Sequence, residues 1–176
     1  MEPKTVLLAS LLFFCFSAMG VSAEKCVYSL QVKTGTMLWA GTDSKISLNL
    51  MTETGEVVSV DNLESWGIMG DDYDYFEQGK LDIFSGIDKC LSGPVCKMNV
   101  TSDGEGLHPG WYLCYIDVTT IKPGAKCSHQ KFVVDQWLDA EAPNQQWAAK
   151  NYCPALNDEA LDEDDAVVAE TRPAAM

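Results

Sequence analysis

The chain has 176 residues, with 26 acidic against 12 basic side chains and a formal net charge of −14. That length suits one domain with a real core and is short for two. The charge excludes a protein that grips nucleic acid by its phosphates, and it disfavours contact with an anionic membrane unless a bound cation changes the local sign.

The first residues have the pattern of a targeting leader. Lys4 precedes an apolar run from Val6 to Met19, and Val21-Ser22-Ala23 supplies small residues for cleavage. The run is short for a membrane span. The expected organisation is a signal peptide over 1–23, a domain with a short C-terminal extension over 24–153, and an acidic disordered tail over 154–176. The tail holds Asp158, Glu159, Asp162, Glu163, Asp164, Asp165 and Glu170 and ends without a retention motif. The expected location is the endoplasmic reticulum or outside the cell.

After the leader, Tyr28, Leu30 and Val32 alternate with polar neighbours, which predicts a first strand with one buried face. Thr34-Gly35-Thr36 starts a loop bearing Met37, Leu38 and Trp39 close to Asp43. Gly41 permits a sharp bend there, and Asp43 and Ser44 can bond the nearby backbone. Ile46, Leu48 and Leu50 then mark a second strand. Val57 to Val60 is a third, after a turn at Thr52-Glu53-Thr54-Gly55-Glu56. Residues 62–70 are irregular, with room for one helical turn. Further strands are expected at Lys80–Phe84, Lys97–Val100, Trp111–Thr120 and Gln130–Leu138, the last with Phe132 and Val134 inward. Residues 139–151 suit a short helix limited by Pro143. About eight short strands separated by turn signals predict an all-β antiparallel sandwich.

Of the seven cysteines, Cys15 lies in the leader. Cys26, Cys90, Cys96, Cys114, Cys127 and Cys153 remain, an even set that favours disulfides in a secretory chain. The first expected pair is Cys90 with Cys96, across the turn-rich Leu91–Val95. A second bridge from Cys26 to Cys127 or Cys153 would tie the ends together, and Cys114 is expected as a buried free thiol. No C-x-x-C pair is present to suggest zinc. Asn99-Val100-Thr101 is a glycosylation sequon, usable only if exposed.

Catalytic signatures are missing from the sequence. The two histidines, His108 and His129, belong to no H-E-x-x-H, and no G-x-S-x-G occurs. A Cys114–histidine nucleophile is far less expected than a buried or bridged cysteine. Calcium is the stronger possibility, because hard cations collect carboxylates and carbonyls, and Asp71, Asp72 and Asp74 crowd within four residues. The EF-hand order fails there, so any site must be built between loops. Trp39, with Met37 and Leu38, either folds onto the sandwich or forms an exposed contact tip. Trp66, Trp111 and Trp137 are expected in the core.

Three blocks carry a family resemblance. Ala40-Gly41-Thr42-Asp43-Ser44 with the alternating strand after it, the segment Met69 to Phe84, and Pro109-Gly110-Trp111-Tyr112-Leu113 running to Val118 resemble, in the right order, the PLAT (lipoxygenase-homology) domain. Together they cover about Cys26 to Leu138. The form most similar is the plant stand-alone type, PLAT-plant-stress or embryo-specific-protein-like. The resemblance implies an eight-stranded sandwich, no catalysis, and a role in abiotic-stress response. It implies contact with membrane lipid or a protein partner, and a monomer is expected. For calcium it implies ligands from the loop at Gly41, Thr42 and Asp43 and from the loop at Asp71 and Asp72. Two other readings compete. One is an extracellular β-rich inhibitor or defence protein such as the Kunitz type, which the blocks around Gly41 and Gly110 disfavour. The other is a minimal lipid-modifying enzyme using a histidine.

Overall fold

Among the described residues eight strands build two antiparallel sheets, and the apolar side chains of their inner faces form one core. The computed structural model describes residues 24–141 and 143–154. The expected signal peptide, with Cys15, and the expected acidic tail from residue 155 lie outside the described residues. The strands are β1 (Lys25–Thr34), β2 (Ile46–Met51), β3 (Val57–Val60), β4 (Leu81–Lys89), β5 (Lys97–Ser102), β6 (Trp111–Ile121), β7 (Ser128–Leu138) and β8 (Trp147–Asn151). One sheet has the order β4-β1-β6-β7 and the other β3-β2-β5-β8.

The alternation expected in β1 and β2 is present. Tyr28, Leu30 and Val32 are buried in β1, and Ile46, Leu48 and Leu50 in β2. They face one another across the sandwich, where each large side chain withdrawn from water stabilises by about 1.5–3 kcal/mol. Trp111 at the start of β6 is fully buried, and its indole N–H donates to Thr34 Oγ1 at 3.0 Å, so the polar tip is satisfied inside the core. Phe76 packs edge-on against Trp111 and stacks on Phe84. Trp66 is only partly buried. It ends the short 3-10 turn Leu63–Trp66 and lies over Gly86, where a Cβ would meet its ring at 2.1 Å. Trp137 is likewise half-buried rather than core.

Further expectations need correction. The chain does not end its sheets at Leu138: residues 147–151 form β8, antiparallel to β5 from Thr101↔Trp147 to Lys97↔Asn151, instead of a helix. Only Ala148 of β8 is buried, so the strand has almost no hydrophobic alternation to read. β4 runs on to Lys89, well past Phe84, paired with β1 over its whole length.

The disulfides differ too. Cys26 bonds Cys90, and Cys96 bonds Cys153. β4 belongs to one sheet and β5 to the other, so the loop 90–96 crosses from layer to layer. Facing sheets lie about 10 Å apart, whereas a disulfide needs Cα atoms within about 7 Å. Cys90 therefore finds β1 beside it, Cys96 finds the residues after β8, and the two do not find each other. Cys127 is a free, exposed thiol.

Cys114 is free, as expected, but half-buried. It is an extra residue between β1 and β6, where Lys33↔Tyr115 is followed by Thr34↔Leu113. That bulge puts two half-buried residues in succession, Cys114 and Tyr115, and shifts the alternation of β6. Burial raises the Cys114 thiol's pKa, and Asp135 raises it further. Asn99 lies mid-strand in β5 between β2 and β8, half-buried, with its Oδ1 buried and without a partner among the described residues. Its exposure is therefore less than a sequon on an open loop would have.

Candidate functional site

Three loops meet at the end of the sandwich where β1 stops and β6 begins. The first, 35–45, is tied down by its own small and polar residues. Gly35 donates to Tyr112 O, and Tyr112 in turn donates to Ala40 O. Thr42 and Ser44 are buried, and their hydroxyls donate to Pro109 O and Glu105 O. Gly41 has no room for a side chain without movement, since a Cβ there would lie 3.0 Å from Gln78 N and 3.2 Å from Phe76 O. The loop is thus pressed against the second loop, 67–80.

The second loop is organised by a residue that the sequence gives no obvious reason to single out. Asp82 is the first inward residue of β4 and is completely buried. It accepts from the Tyr73 hydroxyl at 2.8 Å and from the Phe76 amide at 2.8 Å. Burial and this hydrogen bond push the Tyr73 ionisation up from 10.0 to about 12. A buried carboxylate left without such partners is costly, so Asp82 holds residues 73–76 in place. Asp74 and Glu77 are carried with them.

The result is a group of carboxylates. Oxygens of Asp43, Asp74 and Glu77 all lie within 4.8 Å of one another. Asp43 was expected in such a group. Asp71 and Asp72 stand outside it, and Asp72 has a left-handed backbone with φ of 60°. Their places are taken by Asp74, noted above only as one of three neighbouring acids, and by Glu77. The signal that could have indicated them is their spacing of three in a loop fastened just beyond, where Lys80 N donates to Glu77 O. Three carboxylates fit a hard divalent cation, which prefers six to eight oxygens and takes the remainder from carbonyls and water.

The third loop, 103–110, closes the group from the other side. The His108 amide donates to Asp43 Oδ2 at 3.1 Å, and its Nδ1 lies 3.2 Å from the same oxygen. Gly106, with φ of 101°, passes so close to Asp43 that a Cβ would come within 2.9 Å of the Asp43 Cβ. The histidine ring stacks on Trp39 at 5.7 Å. Its role here is structural contact with the aspartate, which its loop position alone did not suggest.

Trp39 does not fold into the core. It is 66% exposed, Leu38 is 72% exposed, and Met37 is also exposed. The Trp39 amide donates to Gln78 Oε1, and its backbone is left-handed at φ 63°, a strained conformation for an aromatic residue. A cleft of about 220 Å³ lies beside it, lined by Trp39, Gly41, Glu77, Gln78 and His108. An exposed apolar tip and a convergent acidic group are therefore adjacent.

The PLAT/LH2 domain family model matches residues 28–147 of this chain. PLAT domain-containing protein 1 of Arabidopsis thaliana is 43% identical over 88% of this chain and 88% of its own length. PLAT domain-containing protein 2 of the same plant is 45% identical over 88% of this chain and 87% of its own length. Lipoxygenase homology domain-containing protein 1 of Mus musculus is 30% identical over 77% of this chain, which spans only 6% of that protein. Among solved structures, coral 8R-lipoxygenase, described as calcium-activated through a C2-like domain, superposes with a TM-score of 0.52 at 19% identity. That match covers 71% of this chain and 16% of the enzyme, and at that identity it shows likeness of fold.

Proposed function

The chain belongs to the PLAT/LH2 domain family, and from that premise we propose that it is a non-enzymatic interaction module which meets lipid surfaces through its loop end, assisted by calcium. The observation that carries this reading is the adjacency of the exposed Met37-Leu38-Trp39 tip to the carboxylates of Asp43, Asp74 and Glu77. Alone, the acids repel an anionic headgroup layer. A divalent cation supplies positive charge at that point when bound and inverts the local field. Trp39 then has the environment tryptophan favours, with the ring at the headgroup level. Residues Thr42, Ser44 and Asp82 keep the two loops fixed, so the tip and the acids present themselves together. Nothing in this arrangement requires a bond to be broken.

A secretory destination, the endoplasmic reticulum or the exterior, belongs to the same proposal. Two disulfides support it, since such bonds persist in oxidising compartments. The abiotic-stress role implied by the family resemblance is carried here as its physiological setting.

Vesicle co-sedimentation tests the reading, using phosphatidylserine-containing and pure phosphatidylcholine vesicles with calcium or with chelator. The expected outcome is calcium-dependent binding that is lost in Trp39→Ala and in Asp43→Ala. Absence of binding to either vesicle under both conditions overturns the lipid reading and leaves a protein partner for the same tip.

A further inference from the structure

The opposite end of the sandwich gathers several lysines beside the acids Glu24, Glu56 and Asp88. Lys25 at the start of β1 is paired in register with Lys89 at the end of β4. Lys122 and Lys126 stand on the turn between β6 and β7. Lys122 meets Glu24 Oε2 at 3.0 Å, while Lys25, Lys89 and Lys126 make no ion pair with another described residue. Between the β6–β7 turn and the 90–96 loop is a cleft of about 210 Å³, lined by Ser92, Thr120, Lys122, Lys126 and Ser128 among others. The Thr120 hydroxyl is buried with no partner among the described residues.

Beside this cleft the outer face of the first sheet carries one apolar row, next to the polar row Ser85–Ser29–Thr119. Val27 is paired with Ile87 on one side and with Ile121 on the other, forming a continuous row across β4, β1 and β6. Ile87 is 68% exposed and Ile121 41%. A row of aliphatic side chains edged by lysines is complementary to a segment that is both acidic and apolar. In a chain of net charge −14, lysines of which three lack an acidic partner among the described residues favour the docking of acids.

The chain contains that segment. Asp158 and Glu159 precede Leu161, Asp162, Glu163, Asp164 and Asp165 follow it, and Val167 and Val168 come next. It departs from this same end, because Cys153 is bonded to Cys96 and the Tyr152 amide donates to Cys96 O at 2.8 Å. Leu91, Ser92, Gly93 and Pro94, which line the cleft, precede Cys96 in the same loop. At about 3.3 Å per residue, Asp158 can reach ~13 Å from Pro154 and Asp165 ~36 Å. Tethering of this kind gives an effective concentration of order millimolar, so weak contacts suffice.

We propose that the acidic C-terminal segment, centred on residues 158–168, docks on its own lysine end, with its acids on Lys25, Lys89, Lys122 and Lys126 and its aliphatic residues against the Val27–Ile87–Ile121 row. The docked segment covers the lysine end and leaves the Trp39 end as the free contact surface. This holds whether or not the loop end binds lipid.

Zero-length carbodiimide coupling of the full chain, read by peptide mapping on a mixture of unlabelled and isotope-labelled protein, tests the contact. Expected are same-chain links from Lys122 or Lys126 to the acids of 158–165. Links confined to differently labelled chains, or none to these lysines, overturn it. A second arm uses the full chain with Asp162→Asn, Glu163→Gln, Asp164→Asn and Asp165→Asn. Its elution from a heparin column is expected at about twofold higher salt, and adding Lys122→Gln and Lys126→Gln is expected to cancel the gain. Unchanged elution, or a gain that survives the lysine changes, overturns the proposal.

Discussion

The two ends of this sandwich are held together by different means. At the end bearing Cys26, Cys90, Cys96 and Cys153, two covalent bridges fasten the chain. At the Trp39 end the fastening is done by hydrogen bonds that buried Thr42 and Ser44 donate and buried Asp82 accepts. The difference shows how a small domain can keep unfavourable features at one end. Converging carboxylates, a left-handed Trp39 and exposed apolar side chains each cost stability. Bridges at the far end constrain the unfolded chain without touching the loops that carry those features.

The largest expected effect comes from breaking the stapled end. Replacing Cys26 and Cys90 together by serine opens a loop of 64 residues' separation and is expected to lower unfolding stability by about 4 kcal/mol. The midpoint of urea unfolding measures it, and an unchanged midpoint would show that the far end does not depend on its bridge.

The hydrogen-bonded end has its own weak point. Asp82→Ala leaves the Tyr73 hydroxyl and the Phe76 amide without their partner, at an expected cost of about 2–3 kcal/mol. Because Asp82 also places Asp74 and Glu77, calcium affinity measured by calorimetry should fall with it. A variant that melts earlier yet keeps its affinity would separate the two roles.

Within the acidic loop the carboxylates should not be equivalent. Asp74→Ala and Glu77→Ala are expected to weaken calcium binding about tenfold, worth ~1.4 kcal/mol, whereas Asp71→Ala should leave it nearly unchanged. Equal losses at all three positions would contradict the convergence of Asp43, Asp74 and Glu77.

Alkali should act on the same loop. Tyr73 ionises near 12 in the fold against 10.0 for an unperturbed tyrosine, so its neutral form is favoured by folding. That contribution is complete below pH 10 and is lost as pH rises toward about 12. Ultraviolet difference absorbance should show Tyr73 titrating late, alongside Tyr28 and Tyr112, which burial also raises, and Asp82→Ala should return Tyr73 alone toward the ordinary value.

The smallest expected change is at the tip. Trp39→Gly relieves a left-handed backbone and should raise stability by about 0.5–1 kcal/mol, while vesicle binding is lost. A stabilised protein that still binds would show that the strained tryptophan has no part in contact.

Cys114 and Cys90 show where local pattern stops being informative. The strand at 111–120 is legible because Trp111, Leu113, Ile116 and Val118 are large and apolar. The bulge that turns Cys114 half outward is a mismatch with β1, visible only when both strands are laid side by side. Likewise Asp43 and Trp39 are legible as a site because they are close in the chain and unlike their neighbours. Glu77, held in its loop by Asp82 of β4, and His108, from a third loop, join it from remote parts of the chain, His108 lying 65 residues from Asp43. Two of the five predicted metal residues, Asp71 and Asp72, belong to the right loop but not to the carboxylate group within it.

By itself the sequence determined the all-β sandwich, its first seven strands, the membership of the family and the loop at which tip and acid meet. Each of these is written in residue type and short-range spacing, which burial of one strand face imposes directly. Tertiary structure alone decided which cysteines bond, that residues 147–151 close the second sheet, and which carboxylates converge. Those outcomes depend on distances between segments remote in the chain. The layer that each strand joins sets those distances, and neighbouring residues carry no record of them.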